Sequence, residues 1–489
     1  MALSLPPRFM FILAGCVVML LAVGTRGEAA PEGFIPINNT NVGDIQLLST
    51  IEDYQDNRAF CGCDVRFFSQ NGRAVATDRK VRDLVTGDTL DLTGHGYPIA
   101  LDPEGTHVLV SGDYTGTRLV EIATGMEQPL LASDAEDALF SPDGRLIAIT
   151  SRDADAIQVW QTANLELVAT LGQAKPYVDT HNLEFTSDSR YLLWSDRNDN
   201  LNLWDTEEQT TSWQIATNII SYQLSADQRT LVLLKSDFET LEVWDIETRE
   251  MVSQVVDSRD QSGVENFAIS PERHTLAIMY YGGNARLELW NIAVQPAEKI
   301  VELDEQYGYG LEFTRDGRYL IVSGNHEPKS CDREAYNCSS GFGDTSDGIV
   351  AIDATSGEVV NKAALPNDSR IYTTSLIDDG QLLITTDSSW VATFQLWQLK
   401  DSELTFIASL PGGEVQVSPD ETTILATINQ HFLAVYGVAS AARPVQQFVM
   451  PGQIVPSSIN VRSEPNPEAD TIAVVSGDVR ILGRSEAGD

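Results

Sequence analysis

The apolar and polar positions along this chain form a short unit that recurs over most of its length. In the clearest copy, the apolar Phe140 is followed by a polar turn over residues 141–145 and by an apolar run over residues 146–150. A third apolar segment then ends at Val159-Trp160. Proline presets φ at the second position of a turn and glycine suits its exit, so the sequence Ser-Pro-Asp-Gly predicts a tight turn between two strands.

The unit occurs nine times, and its spacing indicates the fold. The residue that closes the first strand of each unit is, in order, Phe68, Leu101, Phe140, Phe185, Leu224, Ile269, Phe313, Leu376 and Val417. Most of these positions lie 39 to 45 residues apart, and the exceptions are a first step of 33 and one of 63. A period of this size is typical of four-stranded propeller blades. The chain is therefore predicted to be all-β, with a single β-propeller of four-stranded antiparallel blades. Eight or nine blades are favoured, and seven is the alternative if units are over-counted.

Tryptophan closes the third strand of five units, at Trp160, Trp204, Trp244, Trp290 and Trp397. Aromatic side chains at one fixed place in each unit are what packing between successive blades requires. The short apolar segment from Ile45 to Leu48 precedes the first unit. It is a candidate closing strand that would pair with the last unit.

With these motifs the chain resembles the WD40-like β-propellers of bacteria over about residues 44–450. The Gly-His dipeptide of that family occurs once, at Gly94-His95, and its Trp-Asp pair occurs at Trp204-Asp205 and Trp244-Asp245. Because these motifs are otherwise missing, we expect apolar packing between blades to hold the ring, in place of the buried hydrogen-bond network of eukaryotic members. The resemblance also implies that an insertion over residues 326–348 joins the second and third strands of its blade.

Four cysteines remain outside the N-terminal segment, at Cys61, Cys63, Cys331 and Cys338. An even number in an exported chain predicts disulfides, with three pairings possible. A local Cys331–Cys338 bridge is the simplest pairing. The resemblance places both cysteine-bearing loops on the same face of the ring, so bridges between the loops are the alternative. Neither pair has the spacing of a zinc hairpin, and no metal site is predicted.

The N-terminus has the pattern of an export signal. Arg8 precedes an apolar run over residues 9–23, which is short for a membrane span and is followed by small and polar residues. Residues 1–29 are therefore predicted to be a signal peptide or a membrane anchor, and residues 30–43 a polar lead-in. Leu13-Ala14-Gly15-Cys16 also resembles a lipoprotein cleavage box. We expect an extracellular or cell-envelope location, with membrane contact only through this segment if it is uncleaved or lipidated.

A second module is predicted after the propeller. Residues 451–458 contain two prolines and are predicted to be a linker. Residues 459–489 resemble the first half of a bacterial SH3 domain, a partial SH3-like β-barrel whose later strands we expect beyond Asp489. That resemblance implies attachment to the cell envelope.

The charge of the chain excludes one class of partner. The sequence has 71 acidic and 32 basic residues, a formal net charge of −39. Such a surface repels phosphate groups, so nucleic acid is not an expected partner.

Candidate site residues follow from the register of the repeat. Three residues before the one that closes the first strand, the units carry mostly uncharged hydrogen-bonding side chains, and equivalent positions in a ring share one height. Asp137, Asn182, Asn266 and Glu414 are therefore predicted to line the rim of the central channel, together with His181 next to Asn182. His95 also precedes a first strand and is likewise expected near the mouth of the channel. Such a ring suits a polar ligand better than acid–base catalysis.

Three functional hypotheses remain open. The first is an exported, non-catalytic scaffold that recognises a protein, peptide or glycan partner. The second is a metal-assisted propeller enzyme of the hydrolase or lactonase type, although no Gly-x-Ser-x-Gly sequence occurs and the six histidines are scattered. The third is the sensor domain of a longer protein. No catalytic residue and no cofactor is assigned.

Overall fold

A computed structural model of the protein describes residues 34–52, 67–77, 79–112, 116–151, 156–172, 183–209, 213–256, 263–280, 286–303, 310–325, 347–364, 371–387, 393–400, 402–429, 432–439, 449–451, 459–462, 471–475 and 480–482. These residues form β-strands and two 3₁₀ turns, Val42–Asp44 and Asp378–Gly380. Nine antiparallel sheets form the blades of a propeller ring, which confirms the all-β prediction and sets the blade count at nine. No helix in this part of the chain is long and apolar enough to span a membrane.

Each unit of the repeat forms one blade, as the bounds of the strands show. The N-terminal strands are β1 (Phe34–Ile35) and β2 (Ile45–Glu52). Blades one to three are β3–β6 (Phe67–Phe68, Ala74–Thr77, Lys80–Asp83, Thr89–Asp91), β7–β10 (Tyr97–Leu101, His107–Ser111, Thr117–Glu121, Glu127–Leu131) and β11–β14 (Ala135–Phe140, Leu146–Ser151, Ala156–Gln161, Leu167–Thr170). Blades four to six are β15–β18 (Leu183–Phe185, Tyr191–Ser195, Leu201–Asp205, Trp213–Ala216), β19–β22 (Ile219–Leu224, Thr230–Lys235, Thr240–Asp245, Glu250–Val256) and β23–β26 (Val264–Ile269, Thr275–Tyr280, Arg286–Asn291, Glu298–Leu303). Blades seven and eight are β27–β30 (Gly310–Phe313, Tyr319–Asn325, Asp347–Asp353, Val359–Ala364) and β31–β34 (Ile371–Ile377, Leu382–Asp387, Thr393–Lys400, Glu403–Pro411). Blade nine contains β35–β37 (Val415–Val417, Thr423–Asn429, Phe432–Ala439).

The two ends of the ring meet in blade nine. Its fourth strand is β2, which pairs with β37 from Ile45 opposite Val438 to Glu52 opposite Phe432. The predicted closing strand is therefore confirmed and is longer than the apolar segment alone indicates. The short β1 also pairs with the end of β37.

The turn after each first strand is held by a side-chain network. Ser141 Oγ donates to Asp143 Oδ1 (2.6 Å) and accepts the N–H of Leu146 (2.9 Å), while Gly144 has φ +70°. The same hydroxyl–carboxylate bond, also 2.6 Å long, links Thr186–Asp188, Ser225–Asp227, Thr314–Asp316 and Ser418–Asp420. This local chemistry made the turns readable from the sequence.

The hydrophobic core lies between blades. One cluster joins Ala148 and Val159 of blade three to Trp194 and Trp204 of blade four, and equivalent clusters join the other neighbours. The tryptophan positions are thus confirmed as inter-blade packing. Three of these indole N–H groups donate to side chains of the same blade: to Glu288 Oε2 from Trp290 (2.8 Å), to Glu242 Oε2 from Trp244 (3.0 Å) and to Thr385 Oγ1 from Trp397 (3.1 Å).

Four further short strands lie after the ring: β38 (Val449–Pro451), β39 (Ile459–Arg462), β40 (Thr471–Val475) and β41 (Arg480–Leu482). They form two antiparallel pairs, β38 with β41 and β39 with β40. The partial SH3-like barrel stays a prediction.

Candidate functional site

The first strands of the blades surround the centre of the ring, since those of most successive blades contact one another. Along them the burial alternates. Phe140 and Ala138 are buried in blade three, as are Phe313 and Leu311 in blade seven, whereas the residues between them are less buried. Side chains alternate between the two faces of a strand, so the less buried positions share one face. That face carries the candidate site.

The structure describes three of the five predicted rim residues. Asp137 and Glu414 are exposed and Asn266 is half-buried. His181 and Asn182 lie outside the described residues. A ligand-binding rim at Asp137, Asn266 and Glu414 stays a prediction.

A β-bulge directly precedes the rim position in four blades. The pairing shifts between Ala135 and Asp137, Ile219 and Ser221, Val264 and Asn266, and Ile371 and Thr373. Asp137 Oδ1 accepts the N–H of Ala138 and Asn266 Oδ1 that of Phe267, both at 2.8 Å. The two rim side chains thus share one conformation, and bulges are a common way to re-aim side chains near functional sites.

A second polar layer lies two residues further along the same face, at Glu184, Gln223, Glu312 and Gln416. These side chains reach the first strand of the next blade: Gln223 Oε1 accepts the N–H of Ile269 (3.3 Å), and the Glu312 carboxylate accepts that of Leu376. Glu184 accepts a hydrogen bond from the Tyr222 hydroxyl. The inner edge of a sheet leaves backbone N–H groups without a strand partner, and these side chains satisfy two of them.

Burial changes the protonation of two of these carboxyls. It raises the pKa of Glu312 to about 8 against the opposing effect of the Leu376 N–H, and Glu312 Oε2 is buried without a hydrogen-bond partner. Burial likewise raises the pKa of Glu184 to about 7, while the Tyr222 bond opposes the shift. At neutral pH these groups can therefore donate as well as accept hydrogen bonds.

Sequence reasoning missed Glu184 and Glu312, although a signal was present. Both lie in the same tetrapeptide, Leu-Glu-Phe-Thr, at residues 183–186 and 311–314. A glutamate between two apolar residues of a strand shares a face with neither of them. Both glutamates lie one residue before the residue that closes the first strand. Examining that position in each unit, in addition to the position three residues before the strand end, would have found them.

The four predicted disulfide cysteines lie outside the described residues. Cys61 and Cys63 fall between the end of β2 and the start of β3, and Cys331 and Cys338 between the end of β28 and the start of β29. The latter confirms that the insertion joins the second and third strands of its blade. In an antiparallel blade these two kinds of connection leave from the same face.

His95 does not lie at the channel mouth, where its place before a first strand suggested it. Its Nδ1 contacts Glu127 of β10, the fourth strand of blade two, and Arg118 bridges to the same carboxylate at 3.3 Å. This corrects the expectation for His95, because the chain is still crossing from the outer strand of blade one at that point.

In the acidic turn over residues 196–200, the carboxylate of Asp196 accepts hydrogen bonds from within the turn. Asp196 accepts the N–H of Asn198 (2.8 Å) and, from Asn200, both the backbone N–H (3.1 Å) and the side-chain amide (2.9 Å). Within the described ranges, no group of three or more His, Cys, Asp and Glu is placed to hold a metal ion.

The chain matches no protein-family model and no curated protein. Among solved structures, hydrazine synthase of Kuenenia stuttgartiensis aligns with 68% of this chain and 97% of its own. The identity is 17% and the TM-score is 0.39. A likeness this distant says nothing about the activity of this chain.

Proposed function

We propose that this protein is an exported, non-catalytic binding scaffold whose ring recognises a protein, peptide or glycan at the face where the first strands begin. The observation that carries the proposal is the pair of polar layers at the centre of the ring. Asp137, Asn266 and Glu414 form the outer layer, and Glu184 and Glu312 belong to the inner one. Convergent hydrogen-bonding groups at a concave centre fix the orientation of a polar ligand.

Arrays of immobilised glycans and peptides test this proposal. The full chain is compared with the triple variant Asp137→Ala/Asn266→Ala/Glu414→Ala, and Glu358→Ala, an exposed carboxylate on the opposite face of blade seven, is the matched control. We expect ligands that the wild type and the control retain and that the triple variant binds at least about tenfold more weakly. Equal binding by all three proteins would mean that the ligand does not bind at the rim.

Residues 459–489 are proposed to attach the scaffold to the cell envelope, after export directed by residues 1–29. A pull-down of the full chain with purified cell-wall fragments tests the attachment. Enrichment that is lost when the chain ends at residue 450 supports it. No enrichment of the full chain would remove wall attachment and leave ligand recognition by the ring untouched.

A second candidate function is hydrolysis at the same centre, and the raised pKa values of Glu184 and Glu312 favour it. A carboxyl that titrates near the working pH is suited to general acid–base catalysis. Turnover of a chromogenic ester or lactone that Glu312→Gln abolishes would support this candidate, while the scaffold proposal expects no turnover.

A further inference from the structure

Blade five exposes three apolar side chains at the end where β19 begins and β22 ends. The exposed fractions are 36% for Ile220, 43% for Phe238 and 53% for Val256. Ile220 is the extra residue of the bulge at the start of β19, Phe238 lies in the turn between β20 and β21, and Val256 ends β22. We call these three residues the blade-five patch.

The strand pairing places the patch along one edge of the sheet. Ile219 pairs with Lys235, and Thr240 pairs with Val256, so the strand ends that carry the patch lie side by side. Strands are spaced by about 4.8 Å, and a row of four ends therefore spans about 15 Å. The patch is a short line of apolar groups across the end of the blade.

Phe238 is the unusual member of this line, because its φ is +60°. Asp199 takes the same place in blade four, with φ +59°. The carbonyl of each residue accepts the first N–H of the next blade, Asp199 from Ile219 (2.8 Å) and Phe238 from Val264 (2.7 Å). The fold thus needs this backbone conformation, and aspartate or glycine adopts it more readily than phenylalanine.

An exposed aromatic side chain on a strained backbone adds little to the core. Both features are unfavourable for folding, and strained residues and exposed apolar groups concentrate at sites of recognition. Phe238 is therefore better explained by a contact outside the chain than by the stability of blade five.

Acidic groups surround the patch. Asp237 and Glu239 flank Phe238, and Glu265 follows the residue that donates to its carbonyl. Burial acts against ionisation of Asp237, but bonds from the N–H groups of Glu239 and Thr240 (both 2.9 Å) and from the Thr240 hydroxyl keep its pKa below the usual value. Lys235 lies 3.7 Å from Glu242, and its charge also helps to lower the pKa of Asp237.

We propose that the blade-five patch docks an extended segment of a protein partner in which apolar side chains alternate with lysine or arginine. Alternate residues of an extended chain lie about 6.7 Å apart on one side, which matches a line of anchors about 15 Å long. Cations between the anchors complement the acidic border, and a central aromatic residue with a charged rim is the usual composition of a binding hot spot. The inference rests on the proposed scaffold function and names the partner class for one blade.

Fluorescence anisotropy at near-physiological salt tests this surface on the full chain. The probe is a labelled peptide of alternating leucine and lysine, and the comparison peptides alternate serine with lysine and leucine with glutamate. We expect the leucine–lysine peptide to bind best and Phe238→Gly to weaken its Kd at least about tenfold. The control is Met251→Ala, which removes a side chain of similar exposure (45%) from the other end of the same blade and should bind normally.

The melting temperature of Phe238→Gly gives a second readout. Glycine adopts the positive φ without strain, so the melting temperature should stay the same or rise. A lower melting temperature would mark Phe238 as structural and overturn the inference.

Three binding results would also overturn the inference: no binding of the leucine–lysine peptide, equal binding of the serine–lysine peptide, or equal affinity in Phe238→Gly. Binding to anionic phospholipid vesicles in preference to the peptide would assign the patch to a membrane. The rim variant of the array experiment separates the two proposals. Array ligands that depend on the rim, together with no binding of the leucine–lysine peptide, would leave the scaffold function standing and remove this inference alone.

Discussion

Glu312 shows how one side chain ties a blade to its neighbour at the cost of burying a carboxyl. Its carboxylate accepts the N–H of Leu376, while Gln223 does the same for Ile269 with an amide. The amide needs no desolvation of a charge, so glutamine is the less costly residue for this bond. A glutamate at this place is a feature that stability alone does not explain.

Glu312→Gln should therefore stabilise the ring in a pH-dependent way. Because the pKa of Glu312 is raised from 4.5 to about 8, the favourable contribution of Glu312 to the free energy of unfolding is complete below about pH 4.5. This contribution is lost as the pH rises through about 8. The variant should match the wild type near pH 4.5 and exceed it by up to about 5 kcal/mol above pH 8, given about 1.4 kcal/mol per pKa unit. Urea unfolding at a series of pH values measures the difference.

The control for this prediction is Glu358→Gln, a substitution at an exposed position of the same blade. It should leave the pH dependence of unfolding as it is in the wild type. A gain in Glu312→Gln that is equal at low and high pH would mean that the Glu312 carboxyl is not desolvated.

At the scale of the element, the tryptophans of the third strands differ in how much they stabilise. Trp204 is 1% exposed and packs against blade three, whereas Trp160 is only half-buried. Trp204→Ala should lower the free energy of unfolding by about 3–5 kcal/mol, the cost of truncating a buried aromatic residue. Trp160→Ala should cost less than that, because less apolar area is lost. Parallel urea titrations of the two variants compare them, and an equal or larger effect at Trp160 would contradict this account.

The elements also show which parts of the site could be predicted from the sequence. The turn at residues 141–145 was readable because its bonds are local. Counting back reached equivalent strand positions at Asp137 and Asn266 because each bulge lies before them. The bulges themselves depend on pairing and leave no local signal. The roles of Gln223 and Glu312 depend on N–H groups of the following blade, 46 and 64 residues away, which a single strand does not reveal.

At the scale of the whole molecule, counting units gave the number of blades because each unit adds one sheet. The N-terminal contribution was harder to predict. Residues 38–41 are all polar, yet the neighbouring Ile37 is 1% exposed and the N–H of Asn39 donates to Asp378 Oδ2 (2.8 Å), 339 residues away. Contacts over such a separation follow only from closure of the ring, so composition alone described this segment as a polar lead-in.

Closure of the ring leads to a last prediction, at Ile51 in the closing strand β2. Ile51 is 4% exposed and lies in a cluster with Val75 of blade one and Leu433 of blade nine, so it joins the two ends of the ring. Ile51→Ala should cost about 2–4 kcal/mol, and Ile300→Ala, at 37% exposure in the outer strand of blade six, should cost far less. Urea unfolding compares the two costs. Because β2 covers β37, hydrogen exchange should accelerate in residues 432–439 of Ile51→Ala before it does so in residues 240–245 of blade five. Uniform acceleration around the ring would mean that the ring does not open first where its ends meet.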